Sequence, residues 1–353
     1  MKKIIKLSLL GIVVATVLYL LFYPVPVEPV SYETPNNPGL QGPFAKNNKL
    51  SDTKHLLLDI GKGPEDITLG PDGLLYTGLE DGRIVSFTKD GEFVKILVNT
   101  GGRPLGMQFD TANNLIVADI LKGLISISPE GEMLVLADRV DGTKIFFADD
   151  LDIGQDGVIW FTDATQRNHD IIIEFLELQP TGRLLSYNPK TKETKIELTG
   201  LRFANGVALG PNEEYILVNE TMGARINKLW IKGPKKDKHE ILPIELPGYP
   251  DNISYNGNGV FWMAFPAARD SGFESLSDKP FLRKLIARLP QSWLETESES
   301  YGMVIGIDTL GQVVFNLQDS TQNYHSITSV NEYDGYLYLG STEMGTVGKY
   351  KLE

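Results

Sequence analysis

From about residue 51 onward, apolar and polar positions alternate in short runs broken by turn residues. Leu74–Gly78, Arg83–Phe87 and Phe93–Leu97 follow the turn sequences Pro71-Asp72-Gly73, Asp81-Gly82 and Gly91-Glu92. A period of two bounded by Asp-Gly pairs is a hairpin signal, and no helical period competes with it. The same grammar recurs in Leu115–Asp119, Gly123–Ile127 and Met133–Leu136, then in Val158–Thr162, Gly182–Tyr187, Tyr215–Val218 and Val260–Met263. Each set is led by a short anchor whose residues are the wrong kind for a core. The anchors are Gly63-Pro64-Glu65-Asp66-Ile67, Pro104-Leu105-Gly106-Met107, Ala148-Asp149-Asp150-Leu151, Ala204-Asn205-Gly206-Val207, Pro250-Asp251-Asn252-Ile253 and Ile327-Thr328-Ser329-Val330. A repeat of about 40–50 residues, each worth one four-stranded sheet, predicts an all-β chain folded as a six-bladed β-propeller.

The sixth repeat holds Tyr336–Leu339 and Val347–Leu352 and ends one strand short. His55–Ile60, ahead of the first anchor, is predicted to supply the missing strand, so that the ring closes without a free radial edge.

Two insertions break the period. One, from about Ala164 to Pro180, lengthens a hairpin of blade three and holds His169 and Asp170. The other, from about Ala267 to Ser300, is expected as a helical insertion in the region between blades five and six. Phe281, Leu285 and Leu289 fall at i, i+4 and i+8, an apolar stripe with a basic opposite face. Such a helix packs over the propeller or serves as a lid at the channel mouth, its Arg and Lys face toward a membrane.

The N-terminus departs from the strand pattern altogether. Lys2, Lys3 and Lys6 lead an apolar run from Leu7 to about Val25, close to the roughly 17–25 residues that span a bilayer. It is longer than the apolar core of a cleaved leader and no small-x-small site follows it, while Tyr19 and Tyr23 sit where an interfacial belt belongs. Residues 1–25 are therefore expected to be a single-pass transmembrane anchor. Its short, Lys-bearing N-terminus is cytoplasmic and the remainder lies on the non-cytoplasmic side. Residues 26–50, with Pro26, Pro29, Pro35 and Pro38, read as an extended spacer, and 51–353 as the propeller. Gly11 alone makes no small-xxx-small pattern for helix pairing.

Composition narrows the chemistry. The 353 residues are 42% hydrophobic and 22% charged, ordinary values for a chain with a large core. A formal net charge of -13 argues against a nucleic-acid partner. Cysteine is absent, which excludes thiolate metal sites and thiol nucleophiles, and four histidines leave little room for a His-rich zinc site. No Gly-x-Ser-x-Gly elbow is present, against serine hydrolase chemistry.

In a propeller the innermost strand of every blade runs along the central channel, so the anchors gather at one mouth. Glu65, Asp149 and Asp251 would bring three carboxylates there, and Asn205 and Asn252 two neutral oxygen donors. Buried carboxylates need a partner or a metal. An all-oxygen set suits Ca²⁺, with Mg²⁺ or Mn²⁺ fitting less well. Three carboxylates on one divalent ion leave about one negative charge in excess, so one of them can carry a proton or act as a base. Asp66 and Asp150, next in sequence, are expected on the other strand face as structural hydrogen-bond acceptors.

These residues also carry a resemblance. Gly63-Pro64-Glu65-Asp66, Asp149-Asp150-Leu151-Asp152, Phe203-Ala204-Asn205-Gly206 and Pro250-Asp251-Asn252-Ile253-Ser254 resemble the motifs of the six-bladed calcium propellers. That superfamily includes the paraoxonases, gluconolactonase and regucalcin, and the strictosidine synthase-like proteins. Arg103-Pro104-Leu105-Gly106, Ile159-Trp160-Phe161-Thr162-Asp163-Ala164, Pro180-Thr181-Gly182-Arg183-Leu184 and Pro247-Gly248-Tyr249-Pro250-Asp251-Asn252 are most similar to its membrane-anchored strictosidine synthase-like branch, which includes the adipocyte plasma membrane-associated proteins. The resemblance spans about residues 40–353. It implies that Glu65, Asn205, Asp251 and Asn252 are calcium ligands, with Asp149 where paraoxonases have Asn. Two departures bear on activity. Leu105 stands where the paraoxonase catalytic histidine would be, and Thr328 where true strictosidine synthases have a working glutamate.

The expected function is thus a membrane-anchored, calcium-dependent hydrolase of small-molecule esters or lactones, not a strictosidine synthase. Asp251 or Asp149 would be the catalytic carboxylate, with no organic cofactor. His325 is a second candidate at the mouth. The alternative is a non-catalytic, calcium-stabilised propeller that binds a protein or small-molecule partner.

Overall fold

The computed structural model describes residues 2–57, 59–290, 293 and 301–352. They fall into two compact units, one of Met1–Thr34, Asn168–Gln179 and Asp270–Glu297, the other of Pro35–Arg167, Pro180–Arg269 and Ser298–Glu353.

The larger unit holds six four-stranded antiparallel sheets, the expected six-bladed β-propeller. Blade one runs Ile67–Leu69, Leu75–Gly78, Arg83–Phe87 and Phe93–Asn99, and blade two Pro104–Phe109, Leu115–Asp119, Gly123–Ile127 and Met133–Ala137. Blade three follows with Ala148–Ile153, Ile159–Asp163, Gly182–Asn188 and Glu193–Leu201, and blade four with Ala204–Leu209, Tyr215–Glu220, Arg225–Trp230 and His239–Ile241. Blade five is Ile253–Tyr255, Val260–Phe265, Gly302–Asp308 and Val313–Asp319. Blade six takes Ile327–Tyr333, Tyr336–Ser341 and Val347–Lys351 from the end of the chain and its outer strand, Lys54–Leu56, from the beginning.

That closure pairs Lys54 with Lys349, His55 with Gly348 and Leu56 with Val347. The strand is shorter than the expected His55–Ile60. Leu57 and Asp59 adopt positive φ and cannot continue a pleated strand, and Leu58 lies outside the described residues.

The core is distributed. Six hydrophobic clusters each join two consecutive blades; Tyr76 and Ile84 of blade one, for example, meet Met107 and Leu115 of blade two. The closing interface is of the same kind, with Leu56, Tyr338 and Val347 of blade six against Ile67, Leu75 and Val85 of blade one. Burying an aliphatic side chain in such a layer contributes roughly 1.5–3 kcal/mol.

The last residue of the second strand organises the loops beside the anchors in several blades. Asp119 accepts from Leu121 N–H, Lys122 N–H and the Thr100 hydroxyl. Asp163 accepts from Phe146 and Phe147 N–H and from Arg183, and Glu220 accepts from Arg202 N–H and Arg225. Each stands opposite the first residue of its anchor strand, Pro104, Ala148 and Ala204. These three buried carboxylates are satisfied from nearby loops and strands.

The smaller unit contains helix α1 (Lys2–Phe22), α2 (Ile171–Glu177), α3 (Ser271–Glu274) and α4 (Pro280–Ile286). Over Ile4–Phe22 α1 is long and apolar enough to cross a membrane, with mean hydropathy 2.4. Asp170 caps α2, accepting from Ile172 and Ile173 N–H. The α3–α4 insertion lies inside blade five, between its second and third strands, rather than between blades five and six; its end, except for Trp293, is outside the described residues.

Its expected polarity holds only in part, with Leu285 and Leu289 half-buried. Phe281 is 63% exposed, whereas Arg283 is fully buried. The cause is hydrogen bonding: the Arg283 guanidinium donates to the carbonyls of Leu276, Leu176, Val30 and Ser277. The carbonyls of Leu276 and Ser277 also accept from Lys279 and Tyr32 N–H, and only arginine offers enough N–H groups in one plane to serve all four. Residues after α1 are bound into this unit too, with Glu28 and Val30 N–H donating to Glu177 and Tyr32 N–H to Ser277.

Candidate functional site

The anchors begin the innermost strands, and four of them share one irregularity. The register shifts between Pro104 and Met107, Ala148 and Leu151, Ala204 and Val207, and Ile327 and Val330. A bulge sets two residues of one strand against one of its partner and re-aims their side chains. Here it sets two anchor residues, Asp149 and Asp150 in blade three, against the single Thr162 of the next strand.

The freed backbone groups are met from the preceding blade. Met107 N–H donates to Asp66, and Val207 N–H to Asp150. Asp66 and Asp150 are thus structural acceptors as expected, but they line the channel instead of turning away from it. Neighbouring inner strands come very close. A Cβ on Gly206 would lie 2.4 Å from Ile253 N, so the position admits only glycine.

All five sequence-predicted ligands meet in this layer. Glu65, Asp149, Asn205 and Asn252 are buried. The Asn252 amide donates to Glu65 Oε1 at 2.9 Å, and the Asn205 amide bonds to the Asp251 carboxylate. The backbone around Asp251 is fixed from blade four, where Asn219 donates to its carbonyl and Thr221 to that of Pro250.

Burial, then the charges of Asp251, Asp66 and Asp149, holds the Glu65 carboxyl well above its ordinary range. Burial and Asp251 do the same to Asp149. Asp251 is raised by burial to about 7, against the pull of Asn205 and the Asn252 N–H. Three carboxylates that raise one another are a site short of positive charge.

Three oxygen atoms there are buried with no hydrogen-bond partner: Glu65 Oε2, Asn205 Oδ1 and Asn252 Oδ1. Leaving such atoms unpaired costs about 1–3 kcal/mol each. Among the described residues no group of three or more His, Asp or Glu side chains has metal-holding geometry by itself; a ligand set here has to include the two amides. One hard cation would satisfy all three oxygens and the carboxylate charge together, and the donor set fits Ca²⁺.

On its inner side the layer adjoins a polar cavity of about 210 Å³ lined by Asp66, Asp150, Asp152, Asn252, Glu332 and Tyr333, among others. Burial lifts the Asp152 carboxyl to about 6, although Leu209 and Ile153 N–H both donate to it.

A family model described as strictosidine synthase matches residues 149–234, and one described as strictosidine synthase-like, N-terminal, matches residues 42–87. The adipocyte plasma membrane-associated protein of Gallus gallus is 35% identical over 348 residues, 91% of this chain and 83% of that protein. The chain belongs to the strictosidine synthase-like family. Protein strictosidine synthase-like 6 of Arabidopsis thaliana, 34% identical over 307 residues, covers 85% of this chain and 81% of its own length. Among solved structures, a gluconolactonase of Xanthomonas campestris aligns with a TM-score of 0.63 at 16% identity, over 93% of this chain and 99% of that one. A luciferin-regenerating enzyme aligns at 0.59 and 13% identity, over 84% and 94%. At such identities the likeness is one of fold.

The two departures noted for this strictosidine synthase-like chain have structural roles. Leu105 is buried and apolar. The buried Thr328 hydroxyl donates to the Glu65 carbonyl, tying blade six to blade one. His325 contacts Ser326 Oγ at 3.1 Å and Glu343 at 3.6 Å.

Arg103, in the sequence only the first residue of the Arg103-Pro104-Leu105-Gly106 motif, is charge-coupled to Glu65 in the fold. Its Nη1 is buried without a partner, its strongest attraction is to Glu65, and it presses on Gly63, where a Cβ would lie 2.9 Å from Nη2. A lone Arg before Pro gives no signal of this. The glycine at φ +68° that makes room for it is the only local hint.

Proposed function

We propose that this strictosidine synthase-like propeller is a calcium-dependent hydrolase of small-molecule esters or lactones, held at a membrane by α1 with the propeller on the non-cytoplasmic side. The observation that carries the reading is the trio of unpartnered buried oxygens beside three mutually repelling carboxylates. A fold shared with a gluconolactonase agrees with it. Glu65, Asp149, Asn205, Asp251 and Asn252 would hold the ion. When bound, Ca²⁺ supplies Lewis-acid chemistry, polarising an acyl carbonyl and stabilising the charge that develops on its oxygen.

The chain's own residues supply the rest. Asp251, with its proton affinity lifted into the neutral range, takes a proton from a water beside it, and Asp149 is the neighbouring carboxylate that could serve in its place. The water oxygen bonds to the acyl carbon, the bond to the leaving oxygen breaks, and that oxygen takes the proton from the aspartic acid. Asn205 holds Asp251 in place and Asn252 holds Glu65. Arg103 offsets part of the negative charge. With Leu105 at the second anchor, a carboxylate rather than an imidazole is the base.

That same leucine favours the second reading, a calcium-stabilised propeller that binds a partner without turnover. The discriminating experiment is hydrolysis of a panel of aryl esters and lactones by the full chain in detergent, with and without a chelator. Turnover abolished by the chelator and restored by Ca²⁺ is expected. Calcium bound with no turnover above background would leave the binding propeller.

A further inference from the structure

Outside α1, the described residues of the smaller unit leave five large apolar side chains exposed: Tyr23, Ile171, Phe281, Leu282 and Trp293. Phe281 is 63% and Trp293 70% exposed, unusual values for side chains of this size and character. Arg283 turns inward from α4 to its four carbonyls, while Phe281 and Leu282 just before it turn outward. Aromatic and aliphatic groups presented this way mark a surface that something apolar covers.

What covers it follows from what the segment is bonded to. The Tyr19 hydroxyl of α1 donates to Arg288 O at 3.0 Å, and Arg288 Nε donates to Tyr23 O at 2.6 Å. Further on, Glu28 and Val30 N–H donate to Glu177 of α2, Arg283 donates to Val30 O, and Tyr32 N–H donates to Ser277 O. The chain leaving α1 is thus stitched to α2 and α4 from its last turn to Tyr32. At 1.5 Å per residue, Ile4–Phe22 is roughly 28 Å long, about one hydrocarbon core. With that stretch in a bilayer, Tyr19 and Tyr23 stand at the lipid boundary, and Arg288, bonded to both, stands at the headgroups.

We propose that the segment from α4 to Trp293 is a second membrane contact. It lies along the headgroup layer of the leaflet at the C-terminal end of α1, with Phe281, Leu282 and Trp293 dipping into the acyl chains. The inference rests on the reading of α1 as the anchor. Lipid, and not a second protein, is the occupant because the segment is fixed to the helix that crosses the bilayer. Aromatic and leucine side chains are those that an interfacial segment buries at the boundary of headgroups and acyl chains.

Because the chain has no cysteine, each substitution to cysteine gives a single thiol. Val13→Cys lies in α1, Phe281→Cys and Trp293→Cys in the proposed contact, and Leu310→Cys replaces a 74% exposed turn residue of blade five as control. Each full-length variant is labelled in detergent with a nitrobenzoxadiazole maleimide and reconstituted into phosphatidylcholine vesicles with or without nitroxide-bearing lipid. Quenching at 13 reports the anchor, and quenching at 281 and 293 reports the contact. Labels at 281 and 293 should be quenched at least about threefold more than the label at 310, with emission shifted to the blue. Thermal melts report whether each labelled variant keeps its fold. Strong quenching at 13 with 281 and 293 no different from 310 would overturn the contact and leave the anchor standing. No quenching at 13 would remove the anchor, and the contact with it.

Discussion

Glu65, Asp149 and Asp251 stay close together because Thr328, Asn219 and Thr221 pin the backbone at Glu65, Asp251 and Pro250, and Asp150 N–H, next to Asp149, donates to Thr162. Their mutual repulsion is therefore stored, and the residue best placed to use it is Asp251. Asp251→Asn is expected to lower ester or lactone turnover at least about a hundredfold, while the melting temperature in chelator stays level or rises, since a repelling charge has gone. A loss of activity accompanied by a loss of fold would contradict this.

Asp152 tests the channel electrostatics away from the proposed ligands. Its carboxyl is raised from 3.8 to about 6 in the fold. A raised folded value means that the protonated form is favoured, so its stabilising contribution is whole below pH 4 and is lost as pH rises through 6. Asp152→Asn should thus flatten the stability profile between pH 4 and 7, gaining up to about 3 kcal/mol on wild type at the upper end. Parallel profiles by denaturant unfolding would refute it. The five oxygen donors were legible in the sequence because they recur at one place in the repeat. Arg103 was not, because its role arises from packing across two blades.

At the scale of elements, the simple alternation rule misplaced Asp66 and Asp150 for two reasons. Asp150 sits in the bulge between Ala148 and Leu151, which no local sequence announces, and Asp66 precedes its strand, Ile67–Leu69, where strand alternation does not apply. The close approach that accompanies the bulges predicts that Gly206→Ala costs about 2–3 kcal/mol in urea unfolding, since the added methyl meets backbone rather than a movable side chain. The insertion of blade five followed the stripe rule only in part, for a related reason. Periodicity locates a helix but cannot foresee that an arginine will be consumed by four carbonyls. Arg283→Met should leave the carbonyls of Leu176 and Val30 without a donor, at a cost of about 3 kcal/mol or more. Faster amide exchange across 273–287 would register it, and unchanged exchange would contradict it.

For the whole molecule, the turn grammar was enough to count blades, since hairpins are local and turn residues such as Pro71-Asp72-Gly73, Asp156-Gly157, Asn256-Gly257 and Asp334-Gly335 punctuate the repeats. Ring closure was legible for a different reason: the sixth repeat lacked a strand and the N-terminal segment had one to spare. Its length was not legible, because Leu57 and Asp59 leave the strand through backbone angles that their side chains do not advertise. The hydrophobic clusters between blades hold the inner strands in a fixed ring, and that rigidity is what lets oxygen atoms remain buried without partners at the axis. On the proposed function, these oxygens hold one calcium ion. The direct measurement is a calorimetric Ca²⁺ titration of the chelator-stripped full chain beside Glu65→Gln. One ion bound per chain, with affinity reduced at least about tenfold in the variant, is the predicted result. No binding by the wild type, or equal binding by a folded Glu65→Gln, would contradict it.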